Sequence, residues 1–207
     1  MTLDEKLAIY LPKYLSADNY RRLLDELKCF PNNINGCMYS HNVEEKLLYQ
    51  GDVIDLMPVV NVEDINKGEK KCACIILSNT CDINPENERL FHSRIMYAPL
   101  ISIEKYTNVL NRQQVSPQKI NEHIRAIKNQ ELTQIIYLPK TQKFDESIVF
   151  LDRTLNIKSD CIDRNSLDKL RLSSFSDYGF YLFLFKISVH FCRIMEGMQR
   201  GQDFIET

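Results

Sequence analysis

The residues Cys72-Ala73-Cys74-Ile75-Ile76-Leu77 form a nearly unbroken apolar run, entered through Lys71 and left through Ser78-Asn79-Thr80-Cys81-Asp82. A short continuous apolar segment with polar flanks reads as a strand covered on both faces, and such a strand belongs at the centre of a sheet. The polar box that ends it has two readings. Hydroxyl, amide, thiol and carboxylate groups at the end of a buried strand are where a rigid scaffold presents chemistry. The same residue types also make local turns and end strands for that reason alone.

The remaining pattern is mixed. Leu7, Tyr10 and Leu11 suggest a short helix over Asp4 to Tyr14, limited by Pro12. Ser16 reads as the N-cap of a second helix carrying Tyr20, Leu23, Leu24 and Leu27 on one face. Strand-like segments follow at Asp52 to Val60, Arg94 to Ile103, Thr133 to Leu138, Ser147 to Leu151 and Arg153 to Lys158, with a polar hairpin loop from Asn61 to Lys71. Between them, Glu104 to Leu110 and the segment opened by Ser116-Pro117 predict two helices, the second with Ile120, Ile124 and Ile127 as its apolar stripe. A long final helix is expected from Ser176 to Arg200, apolar nearly all round in its first half and therefore buried in the core or in a partner interface.

Composition narrows the class. The 207 residues are 44% hydrophobic and 26% charged with net charge −2, so no global field draws the chain to nucleic acid or anionic lipid, and such a role needs a local basic groove. The most apolar window, Tyr178 to Cys192, is too short to span a bilayer and is interrupted by Lys186 and His190, so no membrane role is expected. No export signal is evident at the polar N-terminus, which makes a cytoplasmic location and reduced thiols the expectation for the seven cysteines. Cys29, Cys37, Cys161 and Cys192 read as small buried hydrophobes, and Cys72 and Cys74 share one strand face.

Cys81 is a candidate nucleophile if His92, His123 or His41 lies beside it as base, with Asp82 orienting the imidazole. Cys72, Cys74, Cys81 and His92 are zinc-type ligands in a spacing that matches no zinc knuckle, so no metal and no cofactor is expected. Asp152 and Arg153 read as an ion pair at a strand bend, or as a means of placing Arg153 on a groove. Phosphate-loop, zincin and serine-hydrolase motifs are not found.

The order of segments resembles the PemK/MazF-like group of small SH3-type barrels. Gln50-Gly51-Asp52-Val53-Ile54 is similar to that group's opening strand, Lys71 to Ser78 to its next strand, Arg94 to Ser102 to the one after, and Ser147 to Ile157 to its late segment. The whole chain also resembles a group of bacterial proteins without assigned activity. These share the Gln-Gly-Asp opening, the Ser-Asn/Gln-Thr-Cys-Asp box and a Ser-Asp-Tyr-Gly entry to the last helix, here Ser176 to Gly179. The resemblance implies an α+β fold: a small, bent antiparallel SH3/PemK-like β-barrel with N-terminal helices over residues 1–48, a helical insertion over residues 104–129 and a long C-terminal helix over residues 176–200.

It also implies a nucleic-acid-interacting protein, a metal-independent endoribonuclease of a toxin–antitoxin or defence system acting on single-stranded RNA. Lys71 stands where the family places a catalytic Arg, without the planar fork that grips phosphate twice, and Ser102 stands at the assisting hydroxyl. Ser78, Asn79, Thr80, Asp82, Arg94 and Arg153 would line the groove, with Cys81 beside them. Two other classes stay open: a non-catalytic module whose aromatic last helix binds a protein partner or a second copy, and a thiol-dependent enzyme built on Cys81.

Overall fold

The apolar run does become the middle of a sheet. The computed structural model describes residues 17–60 and 68–192. The helix expected at Asp4 to Tyr14, most of the hairpin loop after Val60 and the end of the last helix lie outside them. The strands are β1 (Tyr39–Ser40), β2 (Val53–Val60), β3 (Glu69–Ile76), β4 (Arg94–Ser102), β5 (Ile135–Leu138), β6 (Ser147–Phe150), β7 (Leu155–Lys158) and β8 (Arg171–Phe175). The helices are α1 (Ala17–Lys28), α2 (Ile34–Cys37), α3 (Thr80–Ile83), α4 (Ile103–Arg112), α5 (Pro117–Lys128), α6 (Leu167–Leu170) and α7 (Asp177–Cys192).

All pairings are antiparallel, in the order β1-β8-β2-β3-β4-β6-β5, with β7 also on β4. The expected mixed α+β architecture is therefore present, but the sheet is not closed into a barrel. Strand β4 explains the bend. Its first half pairs with β7, its second half with β6, and the interruption falls beside Pro99, which has no N–H for a ladder. The two ends of the sheet meet through a side chain: Tyr39 of β1 donates its hydroxyl to Pro139 O, just past β5, at 2.9 Å. The outer side of β5 is occupied by the Gln130 side chain, which donates to Tyr137 O at 2.7 Å and accepts from Tyr137 N at 3.2 Å.

Alternation along β3 sends its side chains to two cores. Ile75 and Ala73 join Val53, Ala98 and the helices α1, α5 and α7 in the larger one. Cys72, Cys74 and Ile76 join Ile54, Met57, Tyr97 and Leu167 in the smaller one. The insertion helices form as their caps direct: Ser102 Oγ accepts from Lys105 N at 3.2 Å, Ser116 Oγ from Lys119 N at 3.5 Å, and Pro117 opens α5. Helix α7 buries Tyr178, Tyr181, Leu182 and Phe183 on the core. Gly179 is required there, because a Cβ would stand 2.1 Å from Met38 O.

Strands β1 and β8 have no counterpart in the sequence reading. Cys29, Cys161 and Cys192 are exposed rather than buried: Cys29 falls in a turn, Cys161 ends a short 3-10 helix over Ser159–Cys161, and Cys192 ends α7. Among the described residues no helix is long and apolar enough to cross a membrane.

Candidate functional site

The box after β3 is built into the scaffold residue by residue. Ser78 Oγ accepts Met96 N at 2.7 Å and donates to Arg94 O at 3.4 Å, fastening the strand end to β4. Asn79 is the N-cap of α3, its Oδ1 accepting from Cys81 N at 2.9 Å. Thr80 Oγ1 accepts Gln50 N at 2.9 Å, and Gln50 in turn donates its side-chain amide to Leu77 O at 2.8 Å. Asp82 is exposed and paired with Arg89 at 2.8 Å. Ile83 buries the turn in the smaller core. Cys81 is exposed, and among the described residues no histidine hydrogen-bonds to it; His123 is instead bonded to Tyr106 at 2.9 Å.

The segments Gln50-Gly51-Asp52 and Ser176 to Gly179 belong to the same framework. Gly51 takes φ +90 and lies so close to Phe175 that a Cβ would fall 2.3 Å from its ring. Asp52, fully buried, accepts from Tyr49 N at 3.0 Å and from Ser174 Oγ at 2.5 Å. Its carboxylate also lies 3.0 Å from Arg171 Nε. Burial raises the Asp52 pKa, against the pull of Arg171 and these hydrogen bonds. Arg171 spends its remaining donors on Glu44 O and Leu47 O, pinning the loop before β2. Ser176 caps α7 by accepting from Gly179 N at 3.1 Å. Gln-Gly-Asp, the polar box and Ser-Asp-Tyr-Gly are thus stitches between β2, β3, β8 and α7.

The residues expected to share one groove do not share it. Lys71 and Ser78 are seven strand positions apart, on the order of 20 Å of extended chain. The Ser78-to-Asp82 box and Arg94 sit at one end of the β3/β4 pair, and Lys71 and Ser102 sit at the other. Arg94 is held by Asn156 on β7, Nε to Oδ1 at 2.5 Å. Arg153 lies with its guanidinium 4.2 Å from the centre of the Phe150 ring and only 4.0 Å from Asp152, so it packs on the bend.

At the Lys71 end, the β3–β4 ladder stops at Cys74↔Pro99. The same register continued would set Lys71 opposite Ser102, on the face of Ala73 and Ile75, but the strands part before that point. Helix α4 follows directly from β4 there; the Cys72 thiol, lowered chiefly by its contact with Cys74, also feels Asp55, which raises it, and Lys105 in the first turn of α4, which lowers it. Among the described residues Lys70, Lys71 and Lys105 form no ion pair. Sequence reasoning missed Lys105; its position three residues after a Ser that precedes a helix was the available signal.

A separate cleft of about 230 Å³ lies beyond the box, between His92, Ser93, Ser159 and Arg164, where Arg164 is tied to Ile83 O and Ser159 Oγ at 3.0 Å each. Among the described residues no three His, Cys, Asp or Glu side chains converge as a metal centre needs. Comparison of the sequence with models of known families and with curated proteins finds no match.

Proposed function

We propose that this protein engages single-stranded RNA across the opening between β3 and β4, in the manner of the PemK/MazF-type proteins it resembles. Metal-independent cleavage there would be the toxin-like form of the same activity. The observation that carries the reading is the pair Lys71 and Lys105, exposed and, among the described residues, unpaired with any carboxylate on either side of strands that part. Two such cations spaced along an opening suit successive backbone phosphates. Ser102, already accepting a backbone N–H, keeps its hydroxyl proton free to donate to one of them.

Fluorescently labelled single-stranded RNA titrated at several salt concentrations tests this. Each phosphate neutralised on a single strand contributes a slope of roughly −0.7 in log K against log salt. Replacing Lys71 and Lys105 together by Ala should weaken binding and flatten the slope by roughly 1.4, whereas Arg94→Ala should leave both unchanged. An unchanged slope in the double variant removes the reading. Cleavage in the presence of a chelator, lost in Lys71→Ala alone, would support the nuclease form.

A second reading, a self-associating interaction module, is favoured by α7. Phe185, Val189 and Phe191 are 51%, 48% and 57% exposed. The one lysine of the helix, Lys186, is turned inward onto Gln130 O and Leu132 O. Phe185 and Val189, one turn apart, share a face and form an exposed apolar patch, and such a patch suits a two-fold pairing of two copies.

A further inference from the structure

Cys72 and Cys74 point the same way from β3, and their sulfurs are 3.9 Å apart. Cys72 is half-buried and Cys74 is fully buried, so only Cys72 faces small solutes. The strand between them is released from its ladder on both sides. Toward β2 the register jumps between Ile54 and Met57, so that Asp55 and Leu56 lie opposite the single residue Ala73. Leu56 in that bulge takes φ +58, a left-handed conformation rare for such a residue. Toward β4 the pairing ends at Cys74↔Pro99.

Positions two apart on a strand have Cα atoms roughly 6.6 Å apart, inside the upper bound of about 6.8 Å for a disulfide. Bringing the sulfurs together therefore asks for a pucker at Ala73, the point where the sheet holds the strand least.

We propose that Cys72 and Cys74 are a redox-active dithiol that a hydroperoxide oxidises to an intramolecular disulfide. The Cys72 thiolate attacks one peroxide oxygen, the O–O bond breaks, and the leaving oxide takes a proton. Cys72 becomes a sulfenic acid as the peroxide is reduced by two electrons. The Cys74 sulfur then attacks the Cys72 sulfur, the S–O bond breaks, and hydroxide leaves as water with the proton of Cys74. With hydrogen peroxide the sum is two thiols and one peroxide giving one disulfide and two waters. The division of roles follows the environment. The neighbouring Cys74 thiol brings Cys72 down to about 7, whereas its contact with Cys72 and burial push Cys74 up.

The test uses the full chain carrying Cys81→Ser, so that the tryptic peptide over residues 72–89 holds only this pair of thiols. After stoichiometric hydrogen peroxide and alkylation, that peptide should be lighter by two hydrogens, resist the alkylating agent, and recover both thiols on reduction. Adding Cys74→Ser should leave a Cys72 sulfenic acid that a dimedone probe traps. Both thiols remaining alkylatable, or Cys72 passing to sulfinic acid while Cys74 is alkylated, overturns the proposal. The mass measurement decides it even where the Cys74→Ser chain fails to fold.

Discussion

Arg171 sets its guanidinium 3.0 Å from the carboxylate of Asp52, and both side chains are buried at the junction of β2 and β8. Breaking a buried pair from one side strands the other charge and costs about 3–5 kcal/mol. Arg171→Met should therefore lower stability by an amount of that order in urea unfolding, and Asp52→Asn by less, because its amide oxygen can still accept from Tyr49 N while its NH2 donates to Ser174 Oγ. The double variant should be more stable than Arg171→Met alone. A double variant less stable than both singles would show that the loop contacts of Arg171, and not its charge, dominate.

Two glycines carry different constraints. Adding a Cβ at Gly179 meets backbone, Met38 O at 2.1 Å, whereas at Gly51 it meets the Phe175 ring at 2.3 Å. Overpacking of this kind costs about 1–3 kcal/mol. Gly51→Ala should be partly rescued by Phe175→Leu, leaving the strain of φ +90. Gly179→Ala should show much weaker rescue. Thermal melts of the three single and two double variants read the difference in coupling.

The polar box should respond as a framework. Thr80→Val leaves Gln50 N without its acceptor and should cost about 1–2 kcal/mol. Cys81→Ser, on an exposed side chain, should stay within about 0.5 kcal/mol of the parent and leave RNA binding unchanged. Chemical denaturation of the two variants side by side checks this.

Lys186 gives a pH signature. Burial draws its pKa down from 10.5 to about 8, even with two carbonyls accepting from the ammonium. The folded chain then binds fewer protons than the unfolded chain between about 8 and about 10.5, so this residue's contribution to stability rises with pH across that window. Below about pH 8 both states are protonated and the burial cost is fully felt. Unfolding midpoints of the parent and of Lys186→Met, measured from neutral to alkaline pH, should converge or cross as pH rises. Buried tyrosines such as Tyr97, raised to about 12, act in the opposite sense and cancel in the difference.

The Phe185–Val189 patch of α7 sets the last expectation. Phe185→Asp should convert a self-associating protein to a monomer in sedimentation without lowering the melting temperature appreciably, since the side chain is half exposed. A parent chain that sediments as a monomer at high concentration rules the second reading out.

Much of the fold is legible because its signals are local. The run from Cys72 lies in a central strand that ends at Ile76, and Ser116-Pro117 marks a helix start that forms as expected. Strand β8 is illegible for the converse reason. Its buried polar residues, Arg171 and Ser174, are tolerable only through Asp52, which lies far away in sequence, so no alternation announces them. Likewise, nothing local separates Lys71 from the polar box. Only the length of β3 puts them at opposite ends, and only the early stop of the β3–β4 ladder leaves Lys105 near enough to act on Cys72.

The amide of Gln130 has a consequence beyond holding the end of α5. An edge strand with open N–H and C=O groups is a template on which other chains can add, and β5 is all apolar and lies at the end of the sheet order. Gln130 fills both backbone groups of Tyr137 in the manner of one residue of a neighbouring strand, and Pro139 follows two positions on with no donor to offer. One side chain and one imide nitrogen thus shield the most apolar strand of the protein from fibrous growth.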